Sequence, residues 1–98
     1  LEEKYLVFSG IGNHETFVSM LKNYGFQIIK DIEFPDHYKF TNKDIEKILI
    51  TANKLECKIV TTEKDYLRLD YINQEKIKFI KSELKIINEE KLIKTLLN

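Results

Sequence analysis

The chain has 98 residues, of which 43% are hydrophobic and 33% charged, and its 16 basic and 16 acidic side chains give a formal net charge of zero. This length permits one compact domain with a modest core. A balanced charge with Arg68 as the only arginine argues against nucleic acid as a partner, because nucleic-acid-binding proteins need a basic face and bidentate arginine contacts. Cys57 is the only cysteine, so no disulfide can form within the chain, which favours a reducing compartment.

The apolar runs and the start of the chain bear on membrane insertion, on secretion and on whether the chain is part of a longer protein. No apolar run approaches the ~20 residues that span a bilayer, and the first ten residues lack the basic start and long apolar stretch of a signal peptide. The chain begins at Leu1 rather than at a methionine, directly before an apolar run. We therefore expect it to be a piece of a longer protein.

Apolar runs and helical stripes alternate along the first half of the chain. The run at 4–10 predicts a buried strand. Asn13 is predicted to cap a helix whose apolar residues recur at i, i+3, i+4 and i+7, and Gly25 is predicted to end it. Residues 26–34 predict a second strand, which Pro35 ends.

The same alternation continues with two similar helix starts. Thr41 is predicted to cap the next helix, and Asp44 completes a Thr-x-x-Asp pattern like a capping box. Residues 57–62 predict a third strand, compact and β-branched. Thr62 and Asp65 then repeat the capping pattern at the start of a short helix.

The last third of the chain completes the predicted fold. Residues 77–80 and 84–87 are further strand candidates, and Asn88 is predicted to cap a final helix. The order β-α-β-α-β-α-β-β-α predicts a single α/β domain over residues 1–98, three layers deep, with a mostly parallel sheet and helical crossovers.

Polar residues that are capable of catalysis or ligand binding concentrate in the turns that follow the first three strands. We name these the first turn (9–15, SGIGNHE), the second turn (34–38, FPDHY) and the third turn (61–65, TTEKD). Ligands of parallel α/β sheets bind outside the carboxyl ends of the strands, where these turns lie. We therefore expect the three turns to share one edge of the sheet and to contain the site.

The first turn does not match a dinucleotide-binding fingerprint. The third glycine of G-x-G-x-x-G would fall at Glu15, whose carboxylate would repel a pyrophosphate at the helix start. The structural alternative is a tight turn in which Gly10 and Gly12 permit unusual backbone angles. His14, at the helix start, is expected at the surface.

The third turn has a structural and a functional interpretation that stand about equal. Capping accounts for Thr62 and Asp65 without any function. Thr61 and Lys64 are left unexplained, and Lys64 could contact a phosphate as a point charge, although a lone lysine is usually solvated.

The second turn carries the strongest candidate for chemistry. His37 follows Asp36 at the end of a strand, and an imidazole titrates near neutrality, so it can move a proton at physiological pH. From the residues alone, an Asp-His step is more often structural than catalytic. No metal site is expected, because no second histidine or cysteine stands at ligand spacing, and no serine or cysteine pairs with a base at a recognisable spacing.

Taken together, the three turns resemble one enzyme family. The segments FSGIGNHETFVSML, FPDHYKFTNKDI and IVTTEKDYLRL, in this order, resemble the C-terminal part of the tetraacyldisaccharide 4'-kinases of lipid A biosynthesis. The resemblance extends from about residue 6 to the predicted final helix. One departure is His14, where the family usually has proline, a residue that suits a first helical turn and carries no chemistry.

The resemblance implies a bacterial kinase that is cytoplasmic and peripheral on the inner face of the inner membrane. It transfers the γ-phosphate of ATP to the 4'-hydroxyl of a lipid A disaccharide precursor, with Mg²⁺. The nucleotide site of this family belongs to an N-terminal P-loop domain, and the present chain contains no G-x-x-x-x-G-K-[ST] motif. The fragment alone is therefore expected to bind no ATP or Mg²⁺ and to be inactive.

The resemblance also implies roles for individual residues. His37 is expected to be catalytic, paired with an aspartate of the N-terminal domain, and Asp36 to shape the loop or orient His37. Eight further residues are expected to line the site or to contact substrate: Gly10, Gly12, Asn13, Thr61, Thr62, Glu63, Lys64 and Asp65. The alternative is a stand-alone α/β module that binds a small anionic ligand or a protein partner.

Overall fold

The computed structural model describes residues 3–81 and the backbone of residues 86–87. The described strands and helices follow the predicted order, with one additional short helix, α4, after α3. They are β1 (Lys4–Ser9), α1 (His14–Asn23), β2 (Gln27–Glu33), α2 (Asn42–Leu55), β3 (Lys58–Thr62), α3 (Glu63–Tyr66), α4 (Tyr71–Gln74), β4 (Lys78–Ile80) and β5 (Ile86–Ile87).

The strands form one sheet in the order β2-β1-β3-β4-β5. The first four strands in this order are parallel, and β5 is antiparallel to β4. From β1 the chain crosses to one side to form β2 and then returns past β1 to form β3. The strand order therefore reverses between β1 and β3, and their carboxyl ends flank the switch point at which parallel α/β sheets bind ligands.

Helices cover both faces of the sheet, because successive side chains of each strand point to opposite faces. Tyr5 and Val7 of β1 pack in the core on the side of α1, together with Phe17, Val18 and Leu21. The intervening residues of β1 face the other way. That second core contains Leu6, Phe8, Ile45, Ile48, Ala52, Ile59, Leu69 and Ile77, with the apolar stripe of α2. The predicted α/β class with three layers and a mostly parallel sheet is confirmed.

The helix ends follow the sequence signals in most places. The Thr41 hydroxyl accepts from the backbone N–H of Asp44, and the Asp44 carboxylate accepts from the backbone N–H of Thr41, so the predicted capping box of α2 is confirmed. Gly25 follows α1 with a φ of 96°, a left-handed conformation that favours glycine. Asn13 occupies the N-cap position of α1 as predicted, but its side chain makes no capping hydrogen bond there.

Two further differences concern the last third of the chain. Helix α4 was not predicted from the apolar pattern; it is short and begins where the Asp70 carboxylate accepts from the backbone N–H of Asn73. The predicted strand at 84–87 is present at 86–87, and its first two residues lie outside the described part of the chain. The final helix predicted from Asn88 also lies outside the described residues. None of the helices described has both the length and the apolarity needed to cross a membrane.

Candidate functional site

The three turns meet at the carboxyl edge of the sheet, and the backbone of Gly10 joins them. The Gly10 N–H donates to Asp65 Oδ2 in the third turn at 3.0 Å. The Gly10 carbonyl accepts from the backbone N–H of His37 in the second turn, also at 3.0 Å. The expectation that the three turns share one edge is confirmed, while the functional roles of their residues stay predictions.

Space rather than backbone angle explains the glycine at position 10. Among the described glycines only Gly25 has a positive φ, so the expectation of unusual angles at Gly10 and Gly12 is wrong. A Cβ on Gly10 would lie 3.2 Å from the Pro35 carbonyl oxygen and 3.4 Å from Asp65 Oδ1. The hydrogen bonds of Gly10 draw the second and third turns so close that a side chain has little room there.

Asp65 is fully buried behind this junction. Its Oδ2 accepts from the Gly10 N–H and from the Thr62 hydroxyl, the latter at 2.7 Å, while its backbone N–H donates to the same hydroxyl. Its Oδ1 accepts no hydrogen bond from the described residues and lies 3.8 Å from Arg68 Nη1. Thr62 caps α3 as predicted, but the Asp65 carboxylate binds the first turn instead of the backbone of its own helix start.

His37 projects from the second turn into solvent. Its backbone has a φ of 64°, which is uncommon for a residue other than glycine, and its side chain is 70% exposed. Its Nε2 lies 3.7 Å from Asp36 Oδ2, and its Nδ1 lies 3.5 Å from Arg68 Nη2. The adjacent Asp36 carboxylate is therefore near the imidazole, at a distance longer than a direct hydrogen bond.

Aromatic side chains pack together within and next to the second turn. The rings of Phe34 and Tyr38 stack with centroids 5.0 Å apart, and Phe40 meets both edge-on. The Tyr38 hydroxyl donates to the Asp44 carboxylate at 2.8 Å, which raises the pKa of Tyr38 above its usual value. These contacts join the second turn to the start of α2.

The remaining predicted site residues separate into different environments. Thr61 is buried, and its hydroxyl donates to the Phe8 carbonyl at 2.7 Å, a contact that ties β3 to β1. Thr62, Glu63 and Lys64 instead line a groove of about 380 Å³ on the side of α1. Its other lining residues are Ile11, Phe17, Met20, Leu67, Ile80 and Lys81. Asn13 is exposed at the start of α1.

His14 is buried, so the expectation that it lies at the surface is wrong. Ser9 Oγ lies 2.6 Å from its Nδ1 and Asp31 Oδ1 lies 2.8 Å from its Nε2, so both ring nitrogens have partners. Buried polar groups need such partners, and here they join β1, α1 and β2. Ser9 thus pairs with a base despite the expectation to the contrary, but it is fully buried and inaccessible to a substrate. Asp31, an aspartate within the second strand, was the signal available in the sequence.

Within residues 3–81 and 86–87, no group of three or more histidine, cysteine, aspartate or glutamate side chains is placed to hold a metal ion. The sequence contains no P-loop motif that would cradle phosphates. The carboxyl edge does present the exposed imidazole of His37, whose backbone N–H donates to the Gly10 carbonyl.

Comparison with known families decides the assignment. The model of the family described as Tetraacyldisaccharide-1-P 4'-kinase matches residues 1–98. The chain belongs to this kinase family. The resemblance that the three turns carry is thereby confirmed for the whole chain.

Curated proteins named Tetraacyldisaccharide 4'-kinase are similar to the chain along most of its length. The one from Pelagibacter ubique is 51% identical over 96 residues, which are 98% of this chain and 31% of that kinase. Those from Rickettsia typhi and Rickettsia akari are 38% and 39% identical over 90 residues, covering 92% of this chain and 28% and 27% of theirs. The chain thus spans less than a third of the length of these kinases. No solved structure matches it significantly.

Proposed function

We propose that this chain is the C-terminal part of a kinase that transfers the γ-phosphate of ATP to the 4'-hydroxyl of a tetraacyldisaccharide precursor of lipid A. The family match and the names of the relatives support a 4'-kinase. The relatives are more than three times as long as the matched segment, which supports a partial chain. The intact enzyme is proposed to act at the cytoplasmic face of the inner membrane.

The ATP and Mg²⁺ sites are proposed to lie in an N-terminal P-loop domain of the same polypeptide. The chain's own residues do not fit these groups, since it has neither a P-loop motif nor, among its described residues, a cluster of metal-ligating side chains. Its contribution is then restricted to positioning, to hydrogen bonds and to proton transfer at the acceptor hydroxyl.

The position of His37 is the observation that carries this proposal. Phosphoryl transfer requires alignment of the reactants and assistance in removing the proton of the attacking hydroxyl. His37 stands at the carboxyl edge of the sheet, where its exposed imidazole is accessible to another domain and its backbone is held by the Gly10 carbonyl. His37 is proposed to pair with an aspartate of the N-terminal domain, and the pair to accept the hydroxyl proton. Asp36 is proposed to shape the turn or to orient the ring.

The test is steady-state kinetics of the full-length enzyme carrying His37→Asn. Asparagine tolerates the left-handed backbone that His37 adopts, so the turn is preserved while the proton-transfer group is removed. We expect kcat to fall by about 10²- to 10⁴-fold, with KM nearly unchanged. Lys39→Gln, an exposed change two residues away, is the matched control and should leave both constants near their original values.

An unchanged kcat for His37→Asn would refute the catalytic role of this residue. A second arm uses residues 1–98 alone with ATP, Mg²⁺ and the disaccharide acceptor. No transfer is expected, because the nucleotide site is assigned to the rest of the enzyme. Measurable transfer by the short chain would overturn that assignment.

A further inference from the structure

Arg68 is the only arginine of the chain, and it lies where the second and third turns meet. Its Nη1 donates to the Tyr38 carbonyl at 3.3 Å and lies 3.8 Å from Asp65 Oδ1. Its Nη2 lies 3.5 Å from His37 Nδ1. The guanidinium therefore spans from a buried carboxylate to the exposed imidazole, and its side chain is two-thirds covered.

This arrangement favours one tautomer of the neutral His37 imidazole. A guanidinium has only N–H donors, so the ring nitrogen facing it must accept, and in a neutral imidazole the proton then resides on the other nitrogen. That other nitrogen, Nε2, faces the Asp36 carboxylate at 3.7 Å, and a carboxylate can only accept. Both neighbours of His37 select the same tautomer.

We propose that Arg68 is a positioning residue for His37, which its guanidinium holds with Nδ1 inward and Nε2–H outward, ready to donate to a facing carboxylate. The proposal deepens the function proposed above and rests on it. Arg68 does not contact the reacting atoms in this scheme. It acts through the orientation and tautomer of His37.

Two features of the structure favour this role over simple surface solvation. The Asp65 Oδ1 atom is buried and accepts no hydrogen bond from the described residues, so Arg68 supplies the positive charge that faces it. The His37 ring, in contrast, is mostly exposed, and among the described residues its backbone is held through its N–H, so its side chain needs a restraint of its own. A planar fork can satisfy Tyr38 and His37 with separate nitrogens, which a lysine ammonium on a flexible stem cannot reproduce as well.

The kinetic test compares Arg68→Gln and Arg68→Lys in the full-length enzyme. Arg68→Lys keeps a positive charge beside Asp65 and so protects folding while removing the fork. We expect both variants to lower kcat by about 10- to 100-fold, with KM within about twofold of its original value. Lys39→Gln removes a neighbouring exposed cation and serves as the matched control, with no expected change.

The decisive readout is the tautomer of His37, measured by ¹⁵N NMR of the histidine-labelled full-length enzyme. The signals of His37 are assigned by their loss in His37→Asn. In the original enzyme the Nε2–H tautomer should dominate at a pH at which the ring is neutral. In Arg68→Gln the Nδ1–H tautomer should become appreciably populated, whereas Lys39→Gln should change nothing.

The outcomes separate this proposal from the proposed function. An unchanged tautomer in Arg68→Gln overturns the positioning role, whatever the activity. An unchanged kcat in both Arg68 variants, with a large loss in His37→Asn, also overturns it and leaves the kinase proposal in place. An unchanged kcat in His37→Asn refutes the catalytic role itself, while a tautomer shift in Arg68→Gln would still support the contact between the two side chains.

Discussion

The chain contains the same Thr-x-x-Asp pattern twice, and the two copies behave differently. At 41–44 both halves of the capping box form, so the aspartate binds the backbone of its own helix start. At 62–65 only the threonine half forms. The Asp65 carboxylate instead binds the Gly10 backbone, 55 residues away, and the Thr62 hydroxyl.

Burial explains the difference between the two copies. Helix α2 starts at the surface, where a carboxylate can serve one helix end and remain near water. Helix α3 starts directly at the end of β3, beside the switch point of the sheet, and there Asp65 is fully buried. A buried carboxylate needs strong partners, and the Gly10 N–H of the first turn is one of them. One copy of the motif therefore caps a helix, and the other joins the third turn to the first.

The largest effect is expected at the buried aspartate, Asp65, compared with an aspartate that caps a helix at the surface. Asp65→Ala leaves the Gly10 N–H and the Thr62 hydroxyl without their acceptor and removes the negative charge beside Arg68. We expect a loss of about 3 kcal/mol in the free energy of unfolding, measured by urea denaturation. Asp70→Ala removes an exposed cap from α4 and is the matched control, with a loss of about 1 kcal/mol. Equal losses in the two variants would contradict the distinction.

Sequence patterns predicted the elements that have a periodic apolar signal and missed the one that has none. Strands and helices up to β3 were predictable because their apolar residues recur with the period of each element and because Thr41, Pro35 and Gly25 mark their ends. Helix α4 has one turn and no buried residue, so it leaves no periodic signal. Its cap at Asp70 was the only feature that could have indicated it.

The meeting of the three turns could be predicted from the sequence, but the contacts of their residues could not. Parallel strands bring their carboxyl ends to one edge, so the meeting of the three turns followed from strand order alone. The hydrogen bonds of Asp65 and the burial of His14 depend on residues distant in sequence, which no local pattern encodes. Arg68 was noted only as the one arginine of the chain. Its contact with His37 joins two residues that are 31 positions apart in the sequence.

An intermediate effect is expected where the first turn approaches the other two. Gly10→Ala places a methyl group 3.2 Å from the Pro35 carbonyl, an atom that cannot move without shifting the second turn. We expect a loss of about 2 kcal/mol in the free energy of unfolding. Gly12→Ala is the matched control, since its added methyl meets only the exposed Asp36 carboxylate at 3.4 Å. The opposite order of the two losses would show that the junction is not tightly packed.

The smallest effect is expected for Asp44, whose contribution to stability should depend on pH. At the first copy of the motif, the Thr41 backbone N–H and then the Tyr38 hydroxyl hold the pKa of Asp44 below its usual value of 3.8. Because the folded-state pKa is the lower one, the stabilisation is complete above the usual value and is lost as the pH falls through the folded value.

Asp44→Asn should therefore cost about 1 kcal/mol at neutral pH, the size of one capping interaction. The difference from the original chain should shrink as the pH falls below 3.8, because the protonated carboxyl loses the charge that the amide also lacks. Urea denaturation across this range measures both, with Thr41→Ala as a control that loses its hydroxyl cap at every pH. A difference independent of pH would mean that the Asp44 charge contributes nothing, and that the exposed copy of the motif acts through hydrogen-bond geometry alone.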